Sequence, residues 1–392
     1  MNKKIGILFL LPVKSIQNTA ILQSQVLEPA RLLVKEGFQV HILNYEQEEH
    51  NNLSYYQKIS SEGISLSLNH TGNLFMRLIS MSRQVSRICK MEKIDILYFR
   101  DIWGGLLAKF GFPGKVKKIY DLRAVIAEES AYRHNRKFPY YYLLKKIEAL
   151  LIKSADRISV VSNNLKEYVL SIKPESSIQV LPSAVNPKKV YYSPKYRAEI
   201  RTRYAIKPED IVFTYIGSIS KWQQFDFVVR LFRDISASLA SAKFLVITPD
   251  RKKILDKFEN LHQQSGSIIV LDKVPHEEIY QYLSAADIGF LIREQHLLNF
   301  VSSPLKFAEY LICGVPVITT PWVGDYSEHV EKYSLGVVIQ PDDPRNVDRI
   351  SQLIRDYQVD QDRYKSRCIE FAEGHLSWNS LSSELEALYQ FD

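Results

Sequence analysis

Ser302-Ser303-Pro304-Leu305-Lys306-Phe307-Ala308-Glu309-Tyr310-Leu311-Ile312-Cys313-Gly314-Val315-Pro316-Val317-Ile318-Thr319 reads as a short helix feeding a buried strand. Ser303 has the side chain of an N-cap, and Pro304 at the first helical position loses nothing by lacking an N–H. Gly314 stops the helix, and Val315 to Thr319 is an apolar run of the kind found in parallel sheets. Only Lys306 and Glu309 are charged in a helix otherwise apolar on nearly every side, so neither is there for solubility. Lys306 lies in the first turn, where the dipole is already positive and a cation costs about 0.3–1 kcal/mol. A bound phosphate reverses that sign, because free N–H groups, dipole and ammonium then converge on one anion. Glu309, one turn on, is spaced to accept from ribose hydroxyls. An i,i+3 Lys306–Glu309 pair that merely steadies a core helix fits the same residues equally well.

Working outward, strand and helix signals alternate along both halves of the chain. Ile5–Leu11, Phe38–Leu43, Ile64–Leu68, Ile94–Phe99, Val116–Tyr120, Arg157–Val161 and Ile178–Leu181 read as strands in the first half. Helices are expected over Ala20–Glu36, closed by Gly37, over Leu74–Met91 and near Tyr140–Lys153. The polar, two-proline stretch Asn186–Pro194 reads as a linker. Strands then resume at Ile211–Ile216, Lys243–Ile247, Ile268–Leu271, Ile288–Ile292, Val315–Thr319 and Val337–Ile339, with helices at Phe225–Ser236, Lys252–Gln263, Asn346–Asp356, Arg363–Glu373 and Leu381–Tyr389. Such alternation predicts an α/β protein of two doubly wound, Rossmann-like domains with a cleft between them. The expected division is 1–190, 191–374 and a C-terminal helical segment 375–392.

Composition narrows the partners. With 51 Lys and Arg against 44 Asp and Glu, the net charge of +7 suits anionic partners: nucleotide diphosphates, anionic lipid or nucleic acid. No helix-turn-helix, zinc or RNA-binding signature accompanies that charge, so nucleic acid is set aside. Cys89, Cys313 and Cys368 are an odd, widely spaced set without metal-ligand spacing, which points to a reducing, cytoplasmic setting. The apolar run Ile5 to Val13 is short and lacks a small-residue cleavage site, so it reads as a first strand rather than a signal peptide. No apolar run reaches the roughly 20 residues that span a bilayer. The segment Arg133 to Lys146 interleaves bases and aromatics, which suits an anionic membrane surface on its inner face or, more plainly, a solvated helix.

The string SPLKFAEYLICGVPVITT closely resembles the nucleotide-sugar signature of the retaining GT-B glycosyltransferases known as family 4 (group 1). Ala155-Asp156-Arg157-Ile158-Ser159-Val160-Val161-Ser162, Val180-Leu181-Pro182-Ser183-Ala184-Val185-Asn186 and Ala285-Ala286-Asp287-Ile288-Gly289 are further echoes, as is Ser377-Trp378. The resemblance implies a first domain that takes the acceptor, a second that takes the donor, and a last helix crossing back onto the first. It implies that Glu309 holds the donor's ribose. Many members carry a second Glu eight residues earlier, against the sugar; here that position is Val301, within an S-P-x-K-F-x-E-Y sub-pattern. The co-substrate is then a UDP- or GDP-sugar, with no separate cofactor and no metal, and the acceptor a glycan or lipid-linked hydroxyl of polysaccharide or glycolipid assembly.

Several residues carry the expected chemistry. Gly217 and Ser218 follow a strand, as a phosphate-approaching turn requires, and Lys221 adds a movable cation. Together with Lys306 and the segment Ser302, Ser303, Pro304 and Leu305, they form the expected donor site, and Lys221 and Lys306 neutralise the leaving diphosphate. Arg293, just past a strand end, either contacts phosphate or pairs with Glu294. His276 reads as a helix-start residue ahead of Glu277 and Glu278. On the acceptor side the resemblance points to a D-x-R-x-x-x-x-E-E pattern: Asp121 to orient a hydroxyl, Arg123 to hold an anionic acceptor group, and Glu128 and Glu129 beyond. A purely structural Asp121–Arg123 or Arg123–Glu128 pair is the alternative. A dinucleotide-dependent oxidoreductase fits the fold, but Leu11-Pro12-Val13-Lys14-Ser15 lacks the glycine fingerprint. A catalytically silent GT-B partner subunit is the other alternative, raised by Val301.

Overall fold

The structure, a computed structural model, describes residues 5–12, 20–46, 53–112, 114–134, 139–258, 267–272 and 274–391. The chain folds as two compact units: Met1–Pro182 joined by Leu381–Asp392, and Ser183–Ser380.

The first unit is built on a seven-stranded sheet of β1 (Gly6–Leu11), β2 (Gln39–Tyr45), β3 (Ile64–Asn69), β4 (Ile96–Phe99), β5 (Lys117–Leu122), β6 (Arg157–Val160) and β7 (Ile178–Val180), in the order β3-β2-β1-β4-β5-β6-β7. Every pairing is parallel. All six residues of β1, GILFLL, are buried, as a central strand covered on both faces requires. The helix expected over Ala20–Glu36 has a π turn at Gln23–Leu27 ahead of the helix Glu28–Lys35. Pro29 explains it: a proline cannot donate to the carbonyl four residues back, that of Gln25, and its ring crowds that oxygen. The spared Gln25 carbonyl instead accepts from Arg100 Nη2 at 2.6 Å.

The final helix, Ser382–Tyr389, belongs to this first unit. Its Tyr389 lies 6.3 Å from the ring of Phe9 and 6.2 Å from that of Tyr98, stacked on both, and meets Phe38 edge-on. Residues from the extreme end of the chain thereby complete the core over β1 and β4.

The second unit repeats the plan in six parallel strands: β8 (Ile211–Ile216), β9 (Ala242–Ile247), β10 (Ile268–Leu271), β11 (Ile288–Leu291), β12 (Val317–Thr319) and β13 (Gly336–Val338), ordered β10-β9-β8-β11-β12-β13. The strand order reverses between β8 and β11, as it does between β1 and β4 in the first unit, and ligands of open α/β sheets bind outside the carboxyl ends at such points.

Two expectations are corrected here. Asn186–Pro194 is not a linker between the units. Val185 and Val190 join the second unit's core, the Val185 N–H donates to Leu376 O at 2.9 Å, and Ser193 caps the helix Pro194–Arg203, with Pro194 at its first turn. Pro194 signals a helix start rather than a spacer, while Pro187 lies in a turn ahead of it. Short helices at Ile102–Phe110, Ile126–His134, Asn163–Ile172 and Ile279–Ala285 also went unread, being too short for a clear helical period. The polar stretch Glu46–Asn52, the tail of the helix expected over Lys252–Gln263 and the middle of the basic aromatic segment lie in part outside the described residues.

Candidate functional site

At the switch point of the second unit, β8 and β11 pair only through Ile288 with Phe213 and Gly289 with Thr214. Beyond that register Tyr310 wedges between them. Its ring lies where a Cβ on Gly289 would sit, at 2.9 Å, and its hydroxyl accepts from the Ile216 N–H at 3.1 Å. Glycine is needed at 289 because the tyrosine ring passes over it.

The turn after β8 begins at Gly217, whose φ of +114° disfavours any side chain. A Cβ there would also stand 2.4 Å from Lys306 Nζ. The turn is braced on every side. The Ile219 N–H donates to Asp250 Oδ2 at 3.0 Å, Tyr215 OH donates to Ser218 O at 2.6 Å, and Gln223 Nε2 donates to Ser218 Oγ at 3.2 Å. Lys306 reaches into this turn, donating to Gln223 Oε1 at 2.6 Å with its ammonium 5.0 Å from the Tyr215 ring centroid. Gln223 is the partner that the sequence did not single out. Lys221, at the start of the same 3-10 turn Lys221–Gln223, is exposed.

Arg293 follows β11 and is buried, with 7% of its surface exposed. Its backbone is fixed by a reciprocal pair: Arg293 N–H to Thr320 Oγ1 at 2.9 Å, and Thr320 Oγ1 to Arg293 O at 2.7 Å. Pairing with Glu294 is not what the structure contains, because Glu294 accepts from Gln224 Nε2 at 3.1 Å. Among the described residues, neither Arg293 nor Lys306 forms an ion pair. Burial, and after it the charge of Arg293, push the Lys306 ammonium well below its ordinary pKa, and burial lowers that of Arg293. Two cations held near one another beyond the carboxyl ends of β8 and β11 make a site that favours an anion.

The helix Leu305–Ile312 starts one residue later than expected, with Pro304 rather than Ser303 at its cap and no side-chain cap bond. Ser303 is used differently: its Oγ lies 2.5 Å from Tyr326 OH and accepts from the Ser183 N–H at 2.8 Å. Ser302 Oγ donates to Asn299 O at 2.8 Å. These serines shape the approach to the helix, whose first turn closes with the Phe307 N–H donating to Pro304 O at 3.0 Å. The Lys306–Glu309 pair is not formed. Glu309, 5% exposed, instead holds His276, with Nε2 to Oε1 at 2.7 Å. His276 does open the 3-10 turn His276–Glu278, and its side chain reaches Glu309, which spacing in the sequence does not reveal. Val301 is buried.

In the first unit Asp121, at the end of β5, is wholly buried. Arg100 Nε donates to it at 2.6 Å and Arg123 Nε at 2.9 Å, and Tyr98 OH donates as well. Burial alone would raise its pKa, but Arg123 and Arg100 outweigh that and hold the carboxyl below its usual value. The carboxylate expected to orient a hydroxyl is thus wholly enclosed and clasped by two guanidiniums. Arg123 itself is partly exposed, and among the described residues its buried Nη1 has no hydrogen-bond partner. Glu128 accepts from Tyr141 OH at 2.5 Å and Glu129 pairs with Arg133 at 2.7 Å, so both belong to local helix contacts. Asp101 caps the helix Ile102–Phe110 through the Gly104 N–H at 2.7 Å.

The comparisons with known proteins agree with this geometry. The family pattern described as glycosyl transferases group 1 matches residues 196–374, and that of glycosyltransferase family 4 matches residues 22–189. An uncharacterized glycosyltransferase of Methanocaldococcus jannaschii is 22% identical over 294 residues, which cover 73% of this chain and 71% of the relative. Sucrose-phosphate synthase from Thermosynechococcus elongatus has a similar fold, with a TM-score of 0.74 at 14% identity over 98% of both chains. Anabaena HepE, solved in complex with UDP-glucose, has a TM-score of 0.72 at 14% identity, again over 98% of both chains. The chain therefore belongs to glycosyl transferases group 1, family 4, and is a glycosyltransferase of GT-B fold.

Proposed function

We propose that this glycosyltransferase moves a hexose-type sugar from a UDP- or GDP-sugar to an acceptor hydroxyl with retention of configuration, in cell-surface polysaccharide or glycolipid assembly. The observation that carries this is the Arg293–Lys306 pair beside the Gly217 turn, two cations near one another with no carboxylate bonded to either among the described residues. A diphosphate supplies the missing charge, and Glu309 accepts from the ribose. In the reaction the bond between the anomeric carbon and the diphosphate oxygen breaks, and the acceptor oxygen bonds to that carbon. The departing phosphate oxygen takes the acceptor's proton, and Lys306, Arg293 and the helix N–H groups stabilise the charge it leaves with. Lys221 joins this neutralisation from the exposed side of the turn. Neither metal nor separate cofactor enters this scheme.

On the acceptor side Arg123, aimed by Asp121, holds an anionic group of a glycan or lipid-linked acceptor. The helix Tyr140–Ser154 supports a peripheral contact with an anionic membrane surface on the cytoplasmic side. It exposes Tyr142, Leu143 and Leu150 beside Lys145, Lys146 and Lys153, while its one acid, Glu148, is buried and caps Ile126 N at 2.8 Å. Among the described residues no helix is long and apolar enough to cross a membrane.

The test is a screen of UDP- and GDP-sugars for hydrolysis without acceptor, then transfer with the anomeric configuration read by NMR. Turnover of one donor with a retained anomer, lost on Lys306→Met, supports the proposal. Binding of nucleoside diphosphate without turnover of any donor returns the chain to the reading of a silent partner subunit.

A further inference from the structure

Glu309 is not alone at the far end of its helix turn. Its carboxylate is nearly enclosed, its Oε1 stands 2.7 Å from His276 Nε2, and no hydrogen bond to its Oε2 occurs among the described residues. A carboxylate only accepts, so His276 Nε2 carries the proton and donates. The histidine is itself held. It opens a 3-10 turn in which the Glu278 N–H donates to Pro275 O at 2.9 Å, and that turn continues into the helix Ile279–Ala285. Its side chain is 24% exposed against 6% for Glu309, so the imidazole is the outer member of the pair and engages one oxygen, leaving Oε2 without a hydrogen bond among the described residues. Burial works against a charged His276, yet the bond to Glu309, its charge and that of Glu277 outweigh burial and raise the pKa, as a real donor–acceptor pair requires.

We propose that His276 is a positioning residue for the donor's ribose: it holds Glu309 Oε1, so that Oε2 is presented in one orientation to a ribose hydroxyl. A carboxylate on a flexible glutamate pays rotamer entropy each time it binds; one already tied at one oxygen has lost that freedom before the donor arrives. The proposal rests on the reading of Glu309 as the ribose acceptor, and it adds a residue that spacing in the sequence does not mark.

The experiment compares binding of UDP and GDP with that of their 2′-deoxy and 3′-deoxy counterparts by calorimetry, for the full chain and for His276→Ala, His276→Gln and Glu309→Ala. A hydrogen bond to a charged group is worth roughly 1.5–3 kcal/mol, so the intact protein should favour ribose over one deoxy form by about 10-fold or more. His276→Ala should bring that ratio toward one and raise the donor KM by about 10-fold with a smaller change in kcat. His276→Gln, whose amide Nε2 also donates, should restore most of the ratio. If Glu309→Ala collapses the ratio but His276→Ala leaves it intact, the inference is overturned and the ribose reading stands. If His276→Ala weakens ribo and deoxy forms equally, or His276→Gln behaves like the alanine variant, positioning is likewise overturned. If Glu309→Ala leaves the ratio unchanged, the reading of Glu309 itself falls.

Discussion

At the scale of single residues, the two units use charge in opposite ways. Lys306 is a functional cost: burial and Arg293 both disfavour its charge in the empty protein. Because its folded pKa lies below the unfolded one, the unfolded chain binds more protons in the interval between them, and stability rises with pH across it. Lys306→Met should therefore raise the melting stability by about 0.5–2 kcal/mol, remove that part of the pH dependence and abolish stabilisation by UDP or GDP. Thermal melts with and without nucleotide across pH check all three. A bound diphosphate should bring the depressed Lys306 pKa back up, and calorimetry in buffers of different ionisation enthalpy reads any proton uptake that results. Asp121 is the reverse case. Its folded pKa is depressed, so its contribution is complete above the unfolded value and is lost as pH falls through the folded one. Asp121→Asn leaves Arg100 enclosed beside a neutral group and should cost about 3–5 kcal/mol by chemical denaturation.

At the scale of elements, two helices do what their own sequences only half suggest. The helix Leu305–Ile312 is legible from its apolar faces and the glycine that ends it, and its two charges stand out against those faces. Their partners are not legible. Gln223 lies 83 positions before Lys306 and His276 lies 33 before Glu309, and no local period connects them. The helix Ser382–Tyr389 is likewise visible as an amphipathic segment, yet its value lies in where it docks. Tyr389, 1% exposed, fills the space over Phe9 and Tyr98. Tyr389→Ala should destabilise the first unit by about 3–5 kcal/mol, the cost of emptying an aromatic site in a packed core. Hydrogen exchange across β1 and β4 should quicken first, with the second unit's sheet unaffected.

At the scale of the whole molecule, the chain leaves the first unit after Pro182 and returns to it at Leu381, so the second unit is one continuous stretch set between two segments of the first. The net charge of +7 is spread over the chain, but the helix Tyr140–Ser154 concentrates cations beside exposed apolar side chains. Association with vesicles containing anionic phosphatidylglycerol should exceed that with neutral phosphatidylcholine, and should weaken as salt rises and the Debye length shortens. Replacing Lys145, Lys146 and Lys153 by glutamine should remove about 1 kcal/mol per residue from that binding. Equal binding by wild type and variant in a flotation assay would remove this face from consideration.

What the sequence by itself determined is the part governed by local chemistry. Strand and helix alternation requires parallel sheets covered on both faces, a glycine at 217 marks the turn after a strand, and the charges of Lys306 and Glu309 stand out in an apolar helix. Only the tertiary structure decided which charges are satisfied. Arg123, Arg100 and Tyr98 clasp Asp121, His276 ties Glu309, Tyr310 parts β8 from β11, and Arg293 and Lys306 come near one another. Those outcomes depend on side chains brought together from distant strand ends, and the free energy of a charge is set by its neighbours and its dielectric rather than by its place in the chain.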